Sequence, residues 1–205
     1  MADYAALPMR TDLPISAAPD ARNAAALPET HSVGVTLKAR CAYISLGANL
    51  GDAAGTIHRA LEAVAALPYL EISAVSPQYL SEPQNFKDQP FFVNQVAALV
   101  CAPVATALGL LADLLRIEDG LGRARGGRRF GPRRIDLDLL LFGKEVMNDP
   151  RLILPHPRML RRAFVLAPLA RIAPGLALPC GGSVEDALNR LHFHIEDGVI
   201  YQQGE

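Results

Sequence analysis

The chain is expected to adopt an α+β fold built on a ferredoxin-like β-α-β-β-α-β core, with an antiparallel sheet, helices packed on it and a C-terminal addition. Three observations lead there. Residues alternate with the two-residue period of a strand over Ile135–Phe142 and Phe91–Cys101. Apolar residues recur at helical spacing at Ile57, Leu61 and Val64, and again at Leu108, Leu111, Leu114 and Leu115. Taken in chain order, the periodic segments run strand, helix, strand, strand, helix, strand.

The folded unit is expected to begin near Lys38, leaving residues 1–40 as a flexible extension and residues 41–205 as one domain; an added helix around Ala18–Leu27 is the alternative for the extension. Cys41–Leu46 is a mostly apolar run that ends at Gly47, and it reads as a buried strand entering a turn. Asp52 can cap the following helix, which Pro68 stops. Leu70–Ser81 is rich in strand formers, with Pro77 marking an edge or a bulge. Ser81–Pro90 is polar and bounded by prolines, so it should be a loop long enough to move over a site. The two faces of Phe91–Cys101 differ little in polarity, so both should be covered. Pro103 suits the first turn of a second helix, which Gly120 and Gly122 end. Beyond the acidic strand, Lys144–Met147 reads as a short strand and Leu154–Pro157 as a stiff turn around His156. Met159–Arg171 reads as a helix limited by Pro168, and Ser183–Asp186 as a capping box opening a last helix through Leu191.

With 205 residues, half of them apolar, the chain can bury a full core. A formal net charge of −1 gives no global field to attract nucleic acid or a membrane surface. Cys41, Cys101 and Cys180 are odd in number and lack metal-ligand spacing, which argues against a disulfide framework or a zinc site and for a reducing, cytoplasmic setting. No apolar run reaches the length of a membrane span.

Chemistry concentrates in Gly120–Gly143. Arg123, Arg125, Arg128, Arg129, Arg133 and Arg134 alternate with glycines and are followed at once by Asp136 and Asp138, which project from one strand face about 7 Å apart. Carboxylates that close repel unless a cation joins them or one stays protonated. A divalent metal bound to phosphate would satisfy the aspartates and the arginines together. Alone, the D-x-D pair reads equally as a partly exposed strand face, and the arginine run as a solvated loop. Leu140 and Phe142, expected on the aspartates' face, argue that part of it is buried. His156 reads equally as a turn residue and as a phosphate donor. Glu118, at a helix C-terminus, must be solvated or meet the arginines. Phe92, Asn94 and Phe164 are compatible with ordinary strand and core roles.

The run RxRxxxxFGPRxIDLDLLLFG, from Arg123 to Gly143, resembles the signature of the 6-hydroxymethyl-7,8-dihydropterin pyrophosphokinase family of folate biosynthesis. AYISLGANLGD at Ala42–Asp52, QPFFVNQVA at Gln89–Ala97 and the text of Leu154–Ile172 agree in order and spacing, and the likeness covers Cys41 to about Tyr201. It implies transfer of an intact pyrophosphoryl group from ATP to the hydroxymethyl oxygen of a reduced pterin, leaving AMP. It further implies that Asp136 and Asp138 hold two magnesium ions and that Arg123 and Arg125 close over ATP. Glu118, Arg133, His156 and Arg162 would serve the nucleotide site. Ser81, Glu82, Pro83, Phe92, Asn94, Phe130 and Phe164 would surround the pterin. Phe130 stands where many members carry tryptophan, Gly126 and Pro157 replace a basic and an aromatic residue, and Glu82 replaces a proline. A monomer is expected, with weak association with other folate enzymes left open and with neither nucleic acid nor membrane as partner. The rival readings are a metal-dependent nucleotide-sugar transferase and a ferredoxin-like RNA-binding module.

Overall fold

The computed structural model describes residues 38–124 and 130–202; most of the N-terminal extension, with Arg125 and Gly126 of the arginine run, lies outside the described residues. Strand β1 (Arg40–Ala48) lies between β4 (Phe92–Cys101) and β5 (Asp136–Phe142), antiparallel to both. Helix α1 (Ala53–Ala65) follows β1, its start capped by Asp52 accepting the Gly55 N–H at 2.9 Å. Helix α2 (Ala107–Gly120) follows β4.

The expected strand Leu70–Ser81 is two strands, β2 (Leu70–Val75) and β3 (Tyr79–Ser81), both paired with β4. Pro77 cannot donate to a ladder. Ser76 makes the join instead: its Oγ accepts the Val96 N–H at 3.0 Å while its own N–H donates to the Val96 carbonyl at 2.9 Å. The second helix also begins later than Pro103 suggested. Thr106 caps it through the Gly109 N–H, and its buried positions are Ala107, Leu110, Leu114 and Glu118 rather than a stripe centred on Leu108, Leu111 and Leu115.

One core joins Ile44, Leu46, Leu99, Leu137, Leu139 and Phe142 of the sheet to Ile57, Ala60 and Val64 of α1 and to Leu110 and Leu114 of α2. Phe142 is a correction: the register of β5 against β1 shifts between Tyr43 and Ile44, so the strand gains a residue around Leu140 and Phe142 turns to the helix side. Leu140 and Leu141 pack instead with Val96, Met159, Val165, Leu166 and Leu169. Both sheet faces are therefore covered near the middle of β4, as its even polarity required. Leu114 is fully buried between α2 and the sheet. Leu114→Ala should cost about 2–5 kcal/mol in urea unfolding, the range for emptying such a site.

Past β5, a small sheet forms from β6 (Met147–Asp149) and β7 (Leu152–Leu154), slightly later than the strand expected at Lys144–Met147. The helix expected over Met159–Arg171 is interrupted. A 3₁₀ turn spans Met159–Arg161, Arg162 is extended, and helix α3 (Ala163–Ile172) carries Pro168 inside it rather than ending there. Helix α4 (Val184–Leu188) has the expected Ser183–Asp186 capping box but ends before Leu191. A hairpin not anticipated, β8 (Phe193–Glu196) and β9 (Val199–Gln202), turns at Asp197–Gly198 with both φ positive, at 48° and 77°. Because β9 joins β3 in parallel, the sheet is mixed rather than antiparallel. No helix among the described residues is long and apolar enough to cross a membrane.

Candidate active site

Asp136 and Asp138 occupy the start of β5, on the sheet face opposite α1 and α2. Register places Asp136 opposite Gly47 and Asp138 opposite Ser45, and across β1 it places Gly47 opposite Asn94. A lateral row Asp136–Gly47–Asn94 thus crosses three strands, with no side chain in its middle position. It forms the floor of a cleft that opens to solvent and reaches to Phe164, Phe130 and the loop after β3. A Cβ built on Gly47 would meet Asn94 Oδ1 at 3.6 Å, so alanine fits there but a branched side chain would stand in the cleft. Gly47→Val should raise the KM of the ligand lying over Asn94 by at least about tenfold, the scale for misfilling a pocket. An unchanged melting temperature would separate that effect from misfolding.

The stop of α2 places the first arginine. Gly122 has φ +82°, its N–H donates to the Asp119 carbonyl, and the Arg123 N–H donates to the Glu118 carbonyl at 3.0 Å. This is a Schellman arrangement, whose geometry brings the residue after the glycine back onto the helix. Here that contact is an ion pair, Arg123 with Glu118. Of the two fates open to Glu118, solvation or meeting the arginines, the structure selects the second, at a buried position. Its side chain is 0% exposed, and its Oε1 also accepts the Leu137 N–H at 2.7 Å. Burial pushes the Glu118 carboxyl up to about 7, while the Leu137 N–H and Arg123 pull it down. Arg123 bridges onward to Asp136 Oδ1 at 2.7 Å, and Arg133 pairs with the other oxygen of Asp136.

Asp138 faces two further basic groups, Arg162 Nη1 at 3.7 Å and His156 Nε2 at 3.8 Å. His156 Nδ1 accepts the Arg158 N–H at 3.3 Å, so the neutral ring carries its proton on Nε2, toward Asp138. Burial lowers the His156 pKa, against the pull of Asp138. Arg162 lies over the Phe164 ring at 5.3 Å, and burial, then the nearby Arg158, lowers its pKa. Arg158 lies over the Phe130 ring at 5.6 Å.

The other end of the cleft carries an amide, a hydroxyl and aromatic rings beside the Glu82–Lys87 pair. Asn94 is buried on β4, and its Nδ2 donates to Ser81 Oγ at 2.9 Å and the Phe92 carbonyl at 3.2 Å. Ser81, Glu82, Pro83, Phe92, Asn94, Phe130 and Phe164 all line this one cleft, as do Arg133, Asp136, Asp138 and Arg162. Glu118, Arg123 and His156 do not line it: Arg123 pairs with Glu118 and Asp136, and His156 Nε2 lies 3.8 Å from Asp138. Arg125 lies outside the described residues. Glu82 is paired with Lys87 at 2.9 Å, and Pro157 is exposed.

Sequence reasoning passed over Asn49 and Gln89. Asn49 Oδ1 accepts the Arg133 N–H at 2.8 Å, and its Nδ2 donates to Gln89 Oε1 and to the Pro90 carbonyl. Gln89 Nε2 in turn donates to the Phe130 carbonyl at 2.9 Å. Together they tie the far end of the arginine run to the loop after β3. Both residues lie inside the matching stretches AYISLGANLGD and QPFFVNQVA, which are the available signal; of the two amides only Asn49 is buried.

A family model described as 7,8-dihydro-6-hydroxymethylpterin-pyrophosphokinase (HPPK) matches residues 43–174. The chain belongs to the HPPK family. It is 48% identical over 153 residues to the 2-amino-4-hydroxy-6-hydroxymethyldihydropteridine pyrophosphokinase of Pseudomonas aeruginosa, covering 74% of this chain and 91% of that protein. The protein of the same description from Methylorubrum extorquens is 44% identical, covering 73% of this chain and 92% of its own. Among solved structures, Plasmodium falciparum HPPK-DHPS wild type with pterin and p-hydroxybenzoate superposes with a TM-score of 0.58 at 15% identity, covering 75% of this chain and 43% of that one. That likeness bears on the HPPK fold alone. HPPK membership leaves the nucleotide-sugar transferase and RNA-binding readings without support.

The HPPK site can be tested for a metal by its donors. No group of three His, Cys, Asp or Glu side chains able to hold a metal occurs among the described residues. Two half-exposed carboxylates on one strand instead suit magnesium, which keeps most of its waters and is bound through one or two carboxylates plus substrate phosphate.

Proposed function

We propose that this chain transfers the pyrophosphoryl group of ATP to the hydroxymethyl oxygen of 6-hydroxymethyl-7,8-dihydropterin, giving AMP and the pterin diphosphate for folate synthesis. The observation that carries this reading is the division of one cleft across Gly47. Paired carboxylates ringed by Arg123, Arg133, His156 and Arg162 lie on one side, and an amide with aromatic rings lies on the other. A flat heterocycle can lie between Phe164 and Phe130 with its polar edge on Asn94, while the phosphates extend toward β5.

Asp136 and Asp138 would hold magnesium, two ions in our reading; magnesium bound there disperses charge on the ATP phosphates. The chain's own residues do the rest. Arg162 and Arg133 neutralise phosphate oxygens as attack proceeds, and His156 offers its Nε2–H as a neutral donor. Arg123 and Arg125 bring the arginine run over ATP, with Glu118 setting the root of that movement rather than touching nucleotide. Asn94 and Ser81 orient the pterin so that its hydroxyl lines up with the β-phosphorus. Alignment and charge dispersal are what such a transfer needs, and no covalent nucleophile is required.

We read β1, α1, β2, β4, α2 and β5 as the ferredoxin-like core and the chain from β6 onward as an addition; the strand order β5-β1-β4-β2 supports this. We also propose that the protein works in the cytoplasm as a monomer. The deciding assay supplies ATP, magnesium and the reduced pterin and measures AMP. AMP equal to pterin diphosphate, and little turnover with the oxidised pterin, is expected. Release of ADP, or AMP formation without pterin, would refute the assignment.

A further inference from the structure

Helix α3 opens on a residue that cannot cap it. The first N–H groups of a helix need an acceptor, normally a side-chain oxygen at the preceding position. That position is Arg162, which carries only donors and makes no capping bond. Its guanidinium is turned into the cleft instead, over Phe164 and 3.7 Å from Asp138.

The acceptor comes from the last strand. Gln202 Oε1 accepts the Ala163 N–H at 2.8 Å, and Nε2 of the same amide donates to the Arg161 carbonyl at 2.8 Å. One side chain therefore grips the backbone on both sides of Arg162. The same Oε1 accepts Gln84 Nε2 at 2.7 Å, from the cleft-lining loop after β3. Gln202 is itself 7% exposed. Its strand is registered to that loop, with Ser81 opposite Ile200 and the Glu82 N–H donating to the Ile200 carbonyl.

We propose that Gln202 is a positioning residue for the transfer: it aims Arg162 at Asp138 and couples that aim to the substrate loop through Gln84. The inference rests on the reading that Arg162 serves the ATP phosphates. An amide is required because one end must donate and the other accept. Glutamate would set a lone pair against the Arg161 carbonyl, and methionine would leave the Ala163 N–H without its acceptor. A displacement of about 1 Å in a group that aligns phosphate costs up to about a hundredfold.

The test uses the full chain and a double-mutant cycle. Gln202→Met and Gln202→Glu should each lower kcat/KM roughly tenfold to a hundredfold per active site. In the Arg162→Ala background, Gln202→Met should change it by no more than about twofold, because the aim it sets has no group left to act through. Hydrogen exchange at the Ala163 amide should speed up in Gln202→Met. Equal losses in both backgrounds, or wild-type kcat/KM with a deprotected Ala163 amide, would overturn the inference. Wild-type turnover by Arg162→Ala itself would instead remove the reading of Arg162 and the inference with it. Should the Gln202 variants not fold, Gln84→Ala tests the loop arm: a several-fold rise in pterin KM supports it and an unchanged KM refutes it.

Discussion

Asp138→Ala is expected to reduce pyrophosphoryl transfer by at least about a thousandfold, because the site has only one other carboxylate on that strand to share the work. Charge stabilisation by a bound metal is worth several kcal/mol in the transition state, and each 1.36 kcal/mol is about tenfold in rate. The surroundings make the loss worse. Arg162 and His156 face the Asp138 oxygen, so removing it leaves cationic and donor groups gathered where the proposed magnesium would bind. Asp138→Asn should be nearly as inactive, since it preserves shape and removes charge. AMP release measured across a magnesium titration checks both variants, with unfolding midpoints to show that they are folded. Turnover near wild type at ordinary magnesium would end the assignment of this strand as the metal site.

The parts of the fold legible in the sequence are those written in a physical period. β5 and β4 are legible because side-chain alternation is written residue by residue, and the helix caps are legible because Asp52 and Ser183 act within a few positions. The bulge near Leu140 leaves no such mark. A strand can gain a residue wherever its neighbour permits, and only the pairing with β1 shows that Phe142 has changed faces. The break at Arg162 is hidden for a similar reason, since Met159–Ile172 has helical composition throughout and the acceptor for Ala163 comes from a strand 39 residues away. The β8–β9 hairpin had a readable signal, Asp197–Gly198 between apolar runs, the favoured pair for a tight hairpin turn. Within the site, residue types pointed to phosphate and metal chemistry. Which amides hold the loops, Asn49 and Gln89 among them, depends on contacts across 40 and more residues.

Arg123→Ala should lower the chemical step by roughly a hundredfold to a thousandfold while weakening ATP binding only several-fold. In the reading proposed above, Arg123 belongs to a loop that closes over ATP, and interactions that form only in the activated complex act on kcat rather than on ground-state affinity. Arg123 is paired with both Glu118 and Asp136 and is 24% exposed, so its charge lies beside one of the two proposed metal ligands. On that reading, Arg123 would leave Asp136 for phosphate as the carboxylate takes up metal, one exchange freeing both groups together. Loss of Arg123 also strips Glu118 of a cationic partner inside a buried setting that already favours the neutral acid. Some destabilisation should therefore accompany the kinetic defect, and Arg123→Lys, which retains charge without the two-pronged geometry, should recover stability more fully than rate. Rapid-quench single turnovers, set beside equilibrium binding of a non-hydrolysable ATP analogue, separate the two effects. A variant that binds ATP weakly yet reacts at the wild-type rate once saturated would show that Arg123 serves the ground state, and the closing-loop reading would fail.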